Sequence, residues 1–124
     1  MTEHEPTHTV RLNSPVQCML WEHPERLEGK LSELFERIET YEDSSHFMRA
    51  LFKCRECGQR YLYEFNEEID WVGSGGDKIY LTLVPVQTQE EIDALNQTDE
   101  SSILRYFPRL QRDDGPPWWN GKPD

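Results

Sequence analysis

Residues 52–65 read FKCRECGQRYLYEF: two cysteines with two residues between them, a glycine directly after, and alternating aromatics beyond. No other stretch restricts the fold so tightly. Gly58 tolerates the positive backbone angle that lets a chain leave a tight turn. Cys54 and Cys57 then project their sulfurs to one side of that turn, which is the shape of a zinc knuckle. On either side, HFMRALFK and QRYLYEF alternate with period two and are rich in strand formers, so residues 54–58 are expected to be the turn of a β-hairpin. A third run, KIYLTLVPV, sets Ile79, Leu81 and Leu83 on one side and Tyr80, Thr82 and Val84 on the other. The glycine-rich GSGGD before it supplies a second turn. The economical arrangement is a three-stranded antiparallel meander with the CxxC knuckle at one hairpin.

Helical patterns flank the meander. In PERLEGKLSELFERIETY, Pro24 suits a first helical position. Leu27, Leu31, Leu34, Phe35, Ile38 and Tyr41 fall on one stripe at helical spacing, with glutamates opposite. This predicts one long N-terminal helix, weakened at Gly29. Thr88 and Glu91 form a capping-box pattern ahead of Ile92 and Leu95. Thr98 is placed to cap a second short helix carrying Ile103, Leu104 and Phe107 and stopped by Pro108. The expected class is therefore α+β: the meander, packed by one long N-terminal helix and two short C-terminal helices. Residues 1–8 read as a flexible terminus, 9–112 as a single domain and 113–124 as a Pro/Trp-containing tail. Trp118 and Trp119 are costly to leave in water, so the tail is expected to fold back.

With 124 residues the chain has the length of one domain. Mean hydropathy is −0.84, but four Trp, five Tyr and five Phe are too many for a disordered chain. The formal charge is −11, from 24 acids against 13 bases. That disfavours nucleic acid, which needs a basic stripe to displace phosphate counterions, and disfavours an anionic membrane surface. It suits a basic protein partner. The polar, acidic start MTEHEPTHTV has no apolar core of a signal peptide, and no apolar run is long enough to span a bilayer. Three cysteines are an odd number for a secreted disulfide framework. A cytoplasmic location follows as the expectation, with thiols kept reduced.

In that setting CxxC signals metal or redox chemistry. A structural zinc ion wants four ligands in a tetrahedron. The knuckle offers Cys54 and Cys57, and QCMLWEHP offers Cys18 and His23, so the candidate site is Cys18, His23, Cys54 and Cys57. His46 is the rival histidine, but it begins the strand that ends at Cys54. Eight extended residues put it about 26 Å away. Two other readings stand beside zinc: reduced cysteines lining a core or turn, and a redox pair. A redox pair requires CxxC at a helix N-terminus, whereas these flanks read as strands.

Just past the knuckle, EFNEEIDW sets Glu64, Glu67, Glu68 and Asp70 among aromatics ending at Trp71. Read as a surface patch, these five residues give charge with an apolar anchor for a basic partner; read blandly, the acids are simply solvated. No nucleophile–base pair can be argued from spacing, and an enzyme is not expected. The segment CRECGQRYLYEFNEEIDW, with the following turn and YLTLVPV, resembles a group of small bacterial proteins sharing a CxxCG motif, over roughly residues 46–110. The group implies no established activity. Small acidic proteins of this general build include immunity proteins, which bind and neutralise a cognate protein toxin. The resemblance implies that class of role and assigns no residue a function. A zinc-knuckle adaptor or regulator without a toxin partner is the alternative.

Overall fold

A computed structural model of the chain describes residues 10–15, 18–28, 30–44, 46–68, 78–98, 102–113 and 115–121. Its dominant element is a six-stranded antiparallel sheet in the order β2–β3–β4–β5–β7–β8. The strands are β2 (Phe35–Asp43), β3 (Phe47–Cys54), β4 (Arg60–Glu68), β5 (Lys78–Val86), β7 (Arg109–Arg112) and β8 (Trp118–Asn120). A separate two-residue pair, β1 (Val10–Arg11) with β6 (Tyr106–Phe107), runs parallel. Helices are few and short: α1 (Met19–Glu22), α2 (Leu31–Leu34) and α3 (Gln89–Asn96), with 3-10 turns at Pro24–Glu28 and Ser102–Arg105.

This corrects the expected fold class. The three strands read from period-two patterning are present as β3, β4 and β5, but they are the middle of a larger sheet rather than a three-stranded meander. The long N-terminal helix does not exist. Its first part is a 3-10 turn and the four-residue α2, and its second part, FERIETYED, is the edge strand β2. The physical reason is in the residues. Phe35, Ile38, Thr40 and Tyr41 are aromatic or β-branched and prefer a pleated surface. The interspersed acids suit a solvent-facing edge, where charge discourages pairing with another chain. Two register shifts against β3, between Arg37 and Glu39 and between Thr40 and Glu42, break the alternation that would have revealed a strand.

At the C-terminal end, the capping box forms as read. Thr88 Oγ1 accepts from Glu91 N at 3.1 Å, and the Glu91 carboxylate accepts from Thr88 N. The second short helix is instead the 3-10 turn followed by β6, β7 and a cis Phe107–Pro108 peptide bond. Beyond residue 112 the chain adds β8 to the sheet. Trp119 folds back over the N-terminal segment, its Nε1 donating to Leu20 O at 2.7 Å and its ring meeting Trp21 edge-on at 4.7 Å.

The sheet separates two cores. On its first face, Ala50, Phe52, Tyr61, Tyr63, Leu81, Leu83 and Leu110 pack against Cys18, Leu20 and Leu27 of the N-terminal segment. Phe52 and Tyr63 stack there at 4.4 Å, and Phe35 leans on Phe52 and Tyr61 at 5.4 and 5.8 Å. On its second face, Leu51, Leu62, Val84 and Val86 pack against Ile92 and Leu95 of α3 and against Ile103.

Candidate metal centre

The knuckle turn leaves β3 and enters β4 through two backbone bonds, Cys54 N to Gln59 O at 2.8 Å and Gly58 N to Cys54 O at 2.9 Å. Gly58 has φ +83°, in the region that an L side chain rarely adopts. Arg55 ties the turn to α2: its N donates to Leu34 O at 2.9 Å and its Nε to Ser32 O at 3.0 Å. Cys18 arrives from the opposite side of the first core, at the position just before α1. Its carbonyl accepts from Trp21 N at 3.0 Å, which opens the α1 turn.

The result is a convergence of three thiols. Cys18, Cys54 and Cys57 sulfurs all lie within 4.8 Å of one another. All three are free; Cys18 and Cys54 are buried and Cys57 is exposed. With metal–sulfur bonds of about 2.3 Å, tetrahedral geometry requires sulfur–sulfur separations of ~3.8 Å. Closure by an ångström or less therefore converts this cluster into a coordination shell. The donor set fits a thiophilic ion: three soft sulfurs, one of them open to solvent for entry.

Tyr61 completes the environment. Its hydroxyl donates to Cys18 Sγ at 3.1 Å, deep in the core. Burial pushes the Cys18 thiol up to about 12, against the opposing pull of the Tyr61 hydrogen bond. Burial, with the neighbouring thiols, also drives the Tyr61 phenol far above its ordinary value, so it stays a donor. A metal ion entering here displaces protons from the sulfurs, and its affinity falls as the solution is acidified. Were the Cys18 sulfur to ligate a metal, the Tyr61 hydroxyl would take the orienting role that outer-shell partners play in metal sites.

Of the four predicted ligands, the structure brings together Cys18, Cys54 and Cys57. His23 is not among them. It is 61% exposed and its Nδ1 lies 3.3 Å from Glu25 Oε2. The α1 turn and the proline after it carry the ring outward, away from the side on which Cys18 enters the core. His46 is at the far end of β3, where Nδ1 meets Glu67 Oε1 at 3.2 Å. Among the described residues, no further histidine, cysteine or carboxylate joins the three thiols. Tyr61 is the partner of the thiol cluster that spacing missed; its place opposite Phe52 on the first face was the available signal.

The acidic patch also changes. Glu64 is not a surface residue: it is 1% exposed and pairs with Arg49 directly across the ladder. Arg49 Nη2 and Nε donate to Glu64 Oε2 at 2.6 and 3.2 Å, and Arg49 Nη1 donates to Leu95 O and Thr98 O at 3.1 and 3.0 Å. One guanidinium thus neutralises the buried carboxylate and satisfies the carbonyl end of α3. Period two foretells this, since Glu64 shares a face with Leu62. Glu67 is at the sheet's far end with His46. The Glu68 side chain, Asp70 and Trp71 lie outside the described residues.

Comparison of the chain with protein-family models, curated proteins and solved structures returned no match. Among the described residues no helix is long and apolar enough to cross a membrane.

Proposed function

We propose that Cys18, Cys54 and Cys57 hold one structural zinc ion, and that the domain so fastened is a binding protein of the immunity class, covering a basic region of a cognate toxin. The observation that carries the metal is the meeting of three sulfurs from two segments 36 residues apart in the chain. Zinc suits the set because thiolates bind it strongly and it imposes no redox chemistry on them. Its role is mechanical: it joins the N-terminal segment to the hairpin.

The binding role is supported by charge and its placement. The chain carries −11 overall. Glu36, Glu39, Glu42 and Asp43 are exposed on β2, the outermost strand of the sheet, with Ile38 46% exposed among them and Arg37 the one base. A basic surface approaching this edge is steered toward it, and salt screens that attraction.

The test is a salt titration of binding to the protein toxin encoded beside this chain, with Glu36, Glu39 and Glu42 changed together to Gln. Association should slow as salt rises, and the triple variant should associate more slowly at low salt while dissociating at an unchanged rate. A locus without such a neighbour, or a complex indifferent to both changes, points to the second reading, a zinc-knuckle adaptor, for which the three-thiol centre alone is the motivation.

A further inference from the structure

The three thiols differ in reach. Cys57 is exposed, while Cys18 and Cys54 are each 1% exposed, yet all three sulfurs lie within 4.8 Å of one another. We propose that Cys57 is the site at which a hydroperoxide oxidises this cluster, and that Cys54 closes on it as a disulfide that undoes the three-thiol centre. The release of an ion rests on the zinc reading above; the thiol chemistry does not.

Accessibility decides where oxidation starts. A redox-sensing cysteine is open to solvent and stands beside a second thiol that resolves it. Cys57 meets both conditions. The knuckle is also a basic spot in an acidic chain: KCRECGQR, residues 53–60, carries three bases and one acid where the whole chain is −11. The Lys53 side chain lies over the turn, its Cε 3.9 Å from where a Cβ at Gly58 would sit. Exposed, electropositive surroundings are those in which reactive cysteines occur.

Position selects the partner. Cys54 and Cys57 stand on one turn, closed by Gly58 N donating to Cys54 O at 2.9 Å. A disulfide requires sulfurs about 2.05 Å apart. Pairing within the turn moves no segment against another, whereas Cys18 belongs to the N-terminal segment and its sulfur is held by the Tyr61 hydroxyl at 3.1 Å.

Hydrogen peroxide serves as the oxidant. The Cys57 sulfur attacks one peroxide oxygen and the O–O bond breaks. Cys57 becomes a sulfenic acid, and the departing hydroxide leaves as water with the thiol proton. The Cys54 sulfur then attacks the Cys57 sulfur, the S–O bond breaks, and the oxygen leaves as a second water with the Cys54 proton. Two thiols and one peroxide give one disulfide and two waters, and the two electrons lost by sulfur reduce the peroxide. Cys18 keeps its thiol. One donor is then left, too few for a structural ion. This turn joins two strands and has no helix N-terminus to activate a thiol for catalytic exchange. The pair therefore records the oxidant once per chain.

The experiment uses the intact chain, reduced and freed of reductant, both without metal and loaded with zinc. Hydrogen peroxide is added and quenched with catalase. Free thiols are blocked with iodoacetamide in denaturant before tryptic mapping by mass spectrometry, while a chromogenic chelator follows zinc. In both forms the blockable thiols should fall from three to one, with Cys54 joined to Cys57 and Cys18 alkylated. Zinc should appear in step with the disulfide, and dithiothreitol should restore all three thiols. Dimedone present early in the exposure should label Cys57 ahead of the two buried cysteines. Metal-free Cys57→Ser, a change at an exposed position whose folding circular dichroism reports, should keep both remaining thiols through the same exposure. A wild type that keeps three thiols, a disulfide through Cys18 instead, or oxidation undiminished in Cys57→Ser would overturn the proposal. A chain that forms the Cys54–Cys57 disulfide but takes up no zinc would remove the zinc reading and uphold the thiol pair.

Discussion

The two faces of the sheet are closed by different means. The first is covered by residues 18–28 and 30–34, two four-residue helices and a 3-10 turn, none long enough to be stable alone. What holds that cover is a set of point attachments: Arg55 to Ser32 and Leu34, Trp119 to Leu20, and Arg112 Nη1 to Leu27 O at 3.0 Å, with the three thiols meeting beneath it. The second face is covered by α3, eight residues with a complete capping box, and is anchored by the buried Arg49–Glu64 pair. Regular structure with its own end-caps closes one side; irregular chain drawn down by side chains closes the other. The three thiols meet on the side closed by irregular chain. An ion held by them would contribute most there, where secondary structure contributes least.

The comparison can be broken most severely at the metal. Chelation of the metal-loaded protein should destabilise it by about 4 kcal/mol if free metal stood a thousandfold above its Kd. Hydrogen exchange should show protection lost across residues 18–34 while α3 keeps its own. Uniform loss on both faces would deny that the staple serves one of them. On the other face, Glu64→Ala takes the carboxylate away from the buried Arg49, for an expected loss of about 3 kcal/mol in denaturant melts. Replacing both residues with apolar ones should recover much of that. Trp119→Ala should cost about 2 kcal/mol, through its hydrogen bond to Leu20 and its packing on Trp21, and should loosen the first face only. Thr88→Ala removes a cap from α3 and should cost about 1 kcal/mol, confined to the second.

Alkaline pH sharpens the contrast further. Burial pushes Tyr63 on the first face up to about 12 from 10, offset in part by Arg112 and Arg37. A raised phenol pKa means that the folded state holds its proton where the unfolded state has lost it. Its contribution is complete below about pH 10 and is lost as pH climbs toward 12. Tyr63→Phe should flatten that decline in a pH series of melts.

Much of the sheet was legible because β3, β4 and β5 alternate cleanly, and the turn at Gly58 announces itself. The capping box at Thr88 and Glu91 was legible for the same reason: both depend on neighbours in the chain. FERIETYED was misread because six apolar positions fit a helical stripe, and the bulges that make it a strand arise only in pairing with β3. The sheet's last two strands are four and three residues long, too short to show a period. At the thiol cluster, cysteine chemistry and the CxxC spacing named the three residues that the structure brings together. Proximity in sequence then suggested His23, whereas the turn at Pro24 sends it to solvent. Glu64 was misplaced because its charge was weighed above its parity with Leu62, and charge on a central strand can be buried when an arginine lies opposite.

The most direct measurement is the metal content of untagged, reduced protein, determined by elemental analysis for the wild type, Cys18→Ser, Cys54→Ser and His23→Ala. One zinc per chain, lost with either cysteine and retained without His23, is the expected result. Metal-free wild-type protein, or metal that survives the loss of Cys18, would contradict a centre that joins the N-terminal segment to the hairpin.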